Sequence, residues 1–174
     1  MTDPRYPIGP FSFDIMPTPQ DRARHIDAIA ALPSELRAVL ANVTPGDLER
    51  TYRPGGWTVR QLVHHLPDSH LNGYVRHKLL LTEDQPTIKP YDEARWAELP
   101  DSKDTPITVS LDLLEALHQR WTVLLRSLRP DDFAKCYFHP EVGRAVPLDV
   151  SLANYAWHGK HHTAHIRLAL GREG

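Results

Sequence analysis

Proline sets the limits of this chain. A proline inside a helix removes a backbone hydrogen bond and costs about 3 kcal/mol, so the spacing of the sixteen prolines marks where long helices can run. Four stretches qualify: Pro19 to Pro45, broken only by Pro33; Pro54 to Pro86, broken only by Pro67; Pro106 to Pro130; and Pro147 onward. In the third, Leu114, Leu117, Trp121, Leu124 and Leu128 recur at i, i+3, i+7, i+10 and i+14, a single helical stripe. In the second, Thr58 and Gln61 have capping-box spacing, so a helix should begin just after Gly55-Gly56-Trp57. Strand signals are confined to a short hairpin around Tyr137 to Val146, turning at Gly143-Arg144. A connection of about twenty residues, Gln85 to Thr105, separates the second and third helices and is long enough for a crossover. The expectation is an all-α four-helix bundle, one domain over residues 1–174, with a Pro-rich N-terminal arm and one long crossover between helices 2 and 3.

Charge and cysteine narrow the partners. Lys and Arg total 20 against 22 acidic residues, with no basic block, so a nucleic acid is a poor partner. No apolar run approaches the roughly 18–20 residues of a membrane span, and MTDPRYPIGPF has no apolar core of a secretory signal. The lone Cys136 makes neither an internal disulfide nor a thiolate zinc cage. A cytoplasmic location is expected.

Histidine is the residue in excess, with eleven copies, seven of them in two clusters. The last helix carries Trp157-His158-Gly159-Lys160-His161-His162-Thr163-Ala164-His165-Ile166, which offers two i, i+4 chelating pairs, His158/His162 and His161/His165. Leu152, Tyr155, Ala156, Gly159, Ile166 and Leu170 define its inward face. At about 100° per residue, His158/His162 lies roughly 60° from the centre of that face and His161/His165 roughly 120° away. The first pair should point into the bundle edge and the second toward solvent. The other cluster, His64-His65-Leu66-Pro67-Asp68-Ser69-His70, sits in the second helix. Three imidazoles and an open fourth position make a catalytic rather than a structural zinc site. Periodicity leaves the third ligand open. His70 lies near the centre of the apolar face, whereas His65 starts a polar stripe with Ser69, Asn72 and Arg76 that reads as a pocket lining.

Tyr6-Pro-Ile-Gly9, Gly55-Gly-Trp-Thr-Val-Arg-Gln61, His64-His-Leu-Pro-Asp-Ser-His70, Pro90-Tyr-Asp-Glu93 and the His158 to His165 segment carry a resemblance. Over nearly its whole length the chain resembles the YfiT branch of the DinB-like metalloprotein superfamily. The resemblance implies a four-helix bundle, metal-dependent hydrolase activity, one zinc or nickel ion held by three histidines, and a homodimer. Laid on the family motif, the ligands fall on His65, His158 and His162. Pro67, two positions past His65, departs from the pattern and is expected to kink the helix there.

The leading function is hydrolysis of a small-molecule substrate by water activated at a divalent metal ion, whose charge lowers the water pKa toward about 7. Asp68 could orient an imidazole, and Asn72 and Arg76 could hold a polar or anionic substrate. Two rivals stand beside it. Relatives in the wider superfamily bind a low-molecular-weight thiol such as bacillithiol or mycothiol for transfer, and a bundle whose fourth metal position is filled, with His70 nearest, would be a non-catalytic binding module. No H-E-x-x-H, G-x-S-x-G or G-x-x-x-x-G-K-[ST] motif is present, and Glu115-Ala-Leu-His118 is a single Glu-x-x-His where a di-iron bundle needs two. His25, His77, His118 and His139 read as core or rim side chains, and Trp57, Trp121 and Trp157 as packing anchors. Tyr91, Asp92 and Trp96 would cover the site or meet a second subunit. Trp157 and Leu168, on the outer side of the last helix, are where a homodimer partner would sit.

Overall fold

The structure is a computed structural model that describes residues 3–172. Four long helices build it: α1 (Pro19–Val39), α3 (Val59–Thr82), α6 (Ile107–Ser127) and α7 (Leu148–Leu170). Short helices α2 (Pro45–Leu48), α4 (Glu93–Trp96) and α5 (Asp101–Asp104) lie in the connections. A 3-10 turn over Pro130–Ala134 leads into the hairpin of β1 (Cys136–His139) and β2 (Arg144–Pro147). The strands pair antiparallel with Tyr137 opposite Val146; the turn spans 140–143 rather than Gly143-Arg144, since Arg144 already pairs with His139 in β2, and Gly143 takes its positive φ of 73° there.

Helix starts follow from capping chemistry. Thr58 accepts from the Gln61 amide at 3.1 Å while Gln61 Oε1 accepts from the Thr58 amide at 3.0 Å, which fixes the first turn of α3 seven residues ahead of His65. Thr18 with Asp21 and Thr44 with Asp47 do the same for α1 and α2. Pro33 and Pro67 interrupt neither helix. Both are buried inside continuous α1 and α3, so their packing offsets the lost hydrogen bond, and the kink expected at Pro67 does not separate His65 from its partners.

Cross-helix contacts define the topology. His64 meets Ser110, His70 meets His118 and His77 meets Trp121, so α3 and α6 run parallel. Arg22 pairs with Asp149 and Gly159 packs on Leu32, so α1 and α7 are also parallel. Ile29 with His118 and His158 with His65 set the two pairs antiparallel to each other. The order is up, down, down, up. The segment from Glu83 to Pro106 must therefore travel back along the bundle, and it pins itself to the hairpin through Ile88 N–H to Phe138 O and Phe138 N–H to Pro86 O.

Two apolar clusters fill the interior. One gathers Ile29, Tyr74, Trp121, Leu152 and Tyr155; the other gathers Leu32, Leu36, Leu62, Leu66, Leu114 and Ile166. Between them lies a layer of histidine. Gly73 permits it: a Cβ there would fall 2.4 Å from the Tyr155 ring, so only glycine lets α3 and α7 approach closely at this level.

Candidate metal centre

The paired histidines of α3 divide their work. His64 turns toward α6, where its Nε2–H donates to the Thr105 carbonyl and its Nδ1 accepts from Ser110. His65, one residue or about 100° further on, turns toward α7, and its Nε2 stands 3.1 Å from His158 Nε2. One turn along α7, His162 completes a group whose three ligand nitrogens lie within 4.8 Å of one another. A tetrahedral cation with nitrogen ligands at about 2.0–2.1 Å holds them about 3.3 Å apart, so the donor set fits a single divalent ion. Burial keeps the rings neutral, as ligands must be. It holds His65 down to about 4, with His161 adding to the effect, and His158 and His162 well below the ordinary value of 6.5.

The Trp57 indole covers this group, 4.8 Å from the His65 ring and 6.2 Å from the His162 ring. Beside it a cleft of about 370 Å³ opens, lined by His162, His161, His165, Trp57, Tyr52, Arg53 and Glu93 among others. Glu93 is its one carboxylate, and burial pushes that carboxyl up. Arg53 Nε is buried there without a hydrogen-bond partner among the described residues.

A model of the DinB superfamily matches residues 28–166, most of the chain. This chain belongs to the DinB superfamily. Within it, a Bacillus cereus (strain ATCC 10987) protein is 52% identical over 166 residues, covering 95% of each chain. A Bacillus thuringiensis subsp. konkukian protein is 52% identical over the same length. Both are named as candidate metal-dependent hydrolases. YfiT from Bacillus subtilis superposes with a TM-score of 0.92 at 40% identity, covering 99% of this chain and 100% of that one, and is described as a metal-dependent hydrolase candidate with an unusual four-helix bundle topology. The mycothiol-dependent maleylpyruvate isomerase shares the fold at 17% identity and a TM-score of 0.68. The up, down, down, up order derived above is thus shared with YfiT.

Several residues fall elsewhere than the sequence suggests. His161 and His165 do not face solvent. The N-terminal arm and the Tyr52 loop bury them, with Tyr52 stacked on His165 at 4.0 Å and Tyr6 near His161, layers that a single-helix projection omits. Trp157 is likewise covered by its own chain: its indole N–H donates to Gly9 O and its ring meets Phe11. Asp68 hydrogen-bonds no imidazole. It stands near Asp101, and burial raises its carboxyl to about 6. Asn72 donates to the Asp68 carbonyl and Arg76 to the Tyr155 hydroxyl at 3.1 Å, and neither borders the cleft beside His162. Tyr91 and Trp96 pack against each other in the crossover, rings tilted with centroids 4.4 Å apart, and the Tyr91 hydroxyl is buried. Glu93 escaped the sequence reading although it ends the quoted Pro90-Tyr-Asp-Glu93 segment.

His70 and His118 resolve differently again. Both rings are fully buried between the apolar clusters, and His70 links them to the site: its Nδ1 lies 2.9 Å from His118 Nε2 and its Nε2 3.2 Å from His158 Nδ1. His70 is therefore behind a ligand rather than beside it. His77 is a satisfied core side chain, as expected.

Proposed function

We propose that this chain is a metal-dependent hydrolase of a small-molecule substrate, with His65, His158 and His162 holding one divalent cation, zinc or nickel. The 3.1 Å approach of His65 Nε2 to His158 Nε2, beside His162 at the edge of a cleft, carries this reading. The relatives' names support the same class of chemistry. When bound, such a cation supplies a Lewis acid that polarises a substrate oxygen and acidifies a water.

The chain's own residues supply the rest. Trp57 limits water access to the ligand face of His65 and His162. The Glu93 carboxylate, raised by burial, takes or returns a proton at its oxygen within the cleft. Arg53 lines the same space, where its guanidinium binds an anionic group of the substrate. A homodimer belongs to this reading, with Leu168, 38% exposed, left for the partner now that Trp157 is occupied by the arm.

Metal per chain, measured by elemental analysis on protein purified without chelator or nickel resin, tests the proposal. One zinc or nickel in the native chain, lost in His162→Ala, supports it. No metal in folded native protein after incubation with zinc overturns it. A product that forms only with added low-molecular-weight thiol replaces hydrolysis with thiol transfer.

A further inference from the structure

Most of the histidine excess lies beyond the three ligands, and its hydrogen bonds have a direction. A carbonyl oxygen only accepts. His118 Nδ1 stands 2.6 Å from Ile29 O, so that nitrogen carries the proton, and the neutral ring has its lone pair on Nε2. His70 Nδ1 must then donate to His118 Nε2 at 2.9 Å, which leaves His70 Nε2 as an acceptor. His158 Nδ1 must donate to it at 3.2 Å, and His158 Nε2 is left as an acceptor, 3.1 Å from His65 Nε2 and 3.5 Å from the Ser69 hydroxyl. The second ligand of α7 repeats the logic from another carbonyl. His165 Nε2 donates to Pro4 O at 3.1 Å, its Nδ1 accepts from His162 Nδ1 at 3.3 Å, and His162 Nε2 is free. None of these rings has a carboxylate among its hydrogen-bond partners, and His70, His118 and His165 are buried, so each stays a single-proton link.

We propose that two carbonyl-anchored imidazole relays, Ile29 O–His118–His70–His158 and Pro4 O–His165–His162, fix both α7 ligands as the Nδ1–H tautomer and aim their Nε2 lone pairs at one point. His70, His118 and His165 are thus positioning residues for the metal. This rests on the three-histidine reading above. The relays also decide between the two histidine groups that lie close enough to hold an ion, His65/His158/His162 and His161/His162/His165. His165 spends both nitrogens on Pro4 and His162, so the second group has no lone pair to spare. The general basis is that the partner of one ring nitrogen sets what the other can do.

Long-range proton–nitrogen NMR of labelled imidazoles in the metal-free native chain reads the tautomers directly. The expected result is Nδ1–H for His158 and His162; finding Nε2–H on either overturns the relay for that ligand. Zinc affinity, by competition with a chromophoric chelator, supplies a second readout. His118→Phe, which touches no ligand, should weaken zinc about tenfold, at the low end for outer partners of metal ligands. His118→Gln should recover most of that loss, because its carboxamide can accept from His70 and donate to Ile29 O. His165→Phe tests the other arm at a site outside the core layer. Unchanged zinc affinity in folded His118→Phe and His165→Phe overturns the proposal. Native protein that binds no zinc yet shows both Nδ1–H tautomers upholds the relays and overturns only the metal reading.

Discussion

Two buried histidine networks share helix α3, and only one can hold a metal. At the cleft end, the hydrogen-bond chains start from carbonyls, and every ring passes its proton toward the carbonyl and its lone pair toward His65. Twelve residues along the helix, His77 meets the opposite case. Trp121 Nε1–H donates to its Nδ1 at 3.0 Å, and its Nε2–H donates to Ser151, whose hydroxyl also meets Tyr137. An indole is a donor only, so it consumes the lone pair that a carbonyl would have left free. His70, His118 and His77 are alike in burial; the group at the end of the chain makes the difference.

Substitutions at the two ends should separate them. The largest effect is expected for His65→Ala, which removes a ligand and should reduce bound zinc from one per chain to nearly none by elemental analysis. His77→Leu should leave metal content unchanged. Retained metal in the first or lost metal in the second would erase the distinction.

Acid comes next. Burial holds His65 and His118 down to about 4 and His77 to about 3 in the folded chain. The unfolded chain titrates near 6.5, so between those values it binds more protons than the folded one. Stability of metal-free protein should therefore be full above about 6.5 and fall as pH drops through 4, by up to about 1.4 kcal/mol per unit for each ring. Asp68, raised to about 6, and Glu93, also raised by burial, oppose this. Thermal melts from pH 7 to pH 4 check the slope, and a flat profile would mean that the rings are not buried neutral.

A smaller effect belongs to His77→Leu itself, which strands the Trp121 N–H and should cost about 1–3 kcal/mol in urea unfolding. Smallest is Thr58→Ala. Losing the cap of α3 should cost about 1 kcal/mol while the metal content stays unchanged, showing that general loosening of the helix does not empty the site.

Much of this architecture was legible in the sequence, for local reasons. Proline spacing, the Thr58 cap, the Leu114 to Leu128 stripe and the Gly143 turn act within a few residues, and each predicted its element. The His158/His162 pair was visible as i, i+4 spacing, whereas choosing His65 over His70 needed the family motif. Long-range partners were not visible. His70 and His118 are 48 residues apart, and His165 and Pro4 are 161 apart, so no window of sequence joins them. The wheel failed for His161 and His165 because the cover comes from the arm and the Tyr52 loop.

The up, down, down, up order has a consequence during synthesis. His65 lies in the second of the four long helices, but His158 and His162 lie in the fourth, so a ribosome must deliver more than ninety further residues before the ligands can meet. At about 5–20 residues per second, the growing chain spends several seconds with His65 and Trp57 made and no α7 to close over them. Over that interval a nascent chain caught by a metal would hold it by one helix alone, and α7 arrives with its two rings as the step that turns loose capture into a defined site.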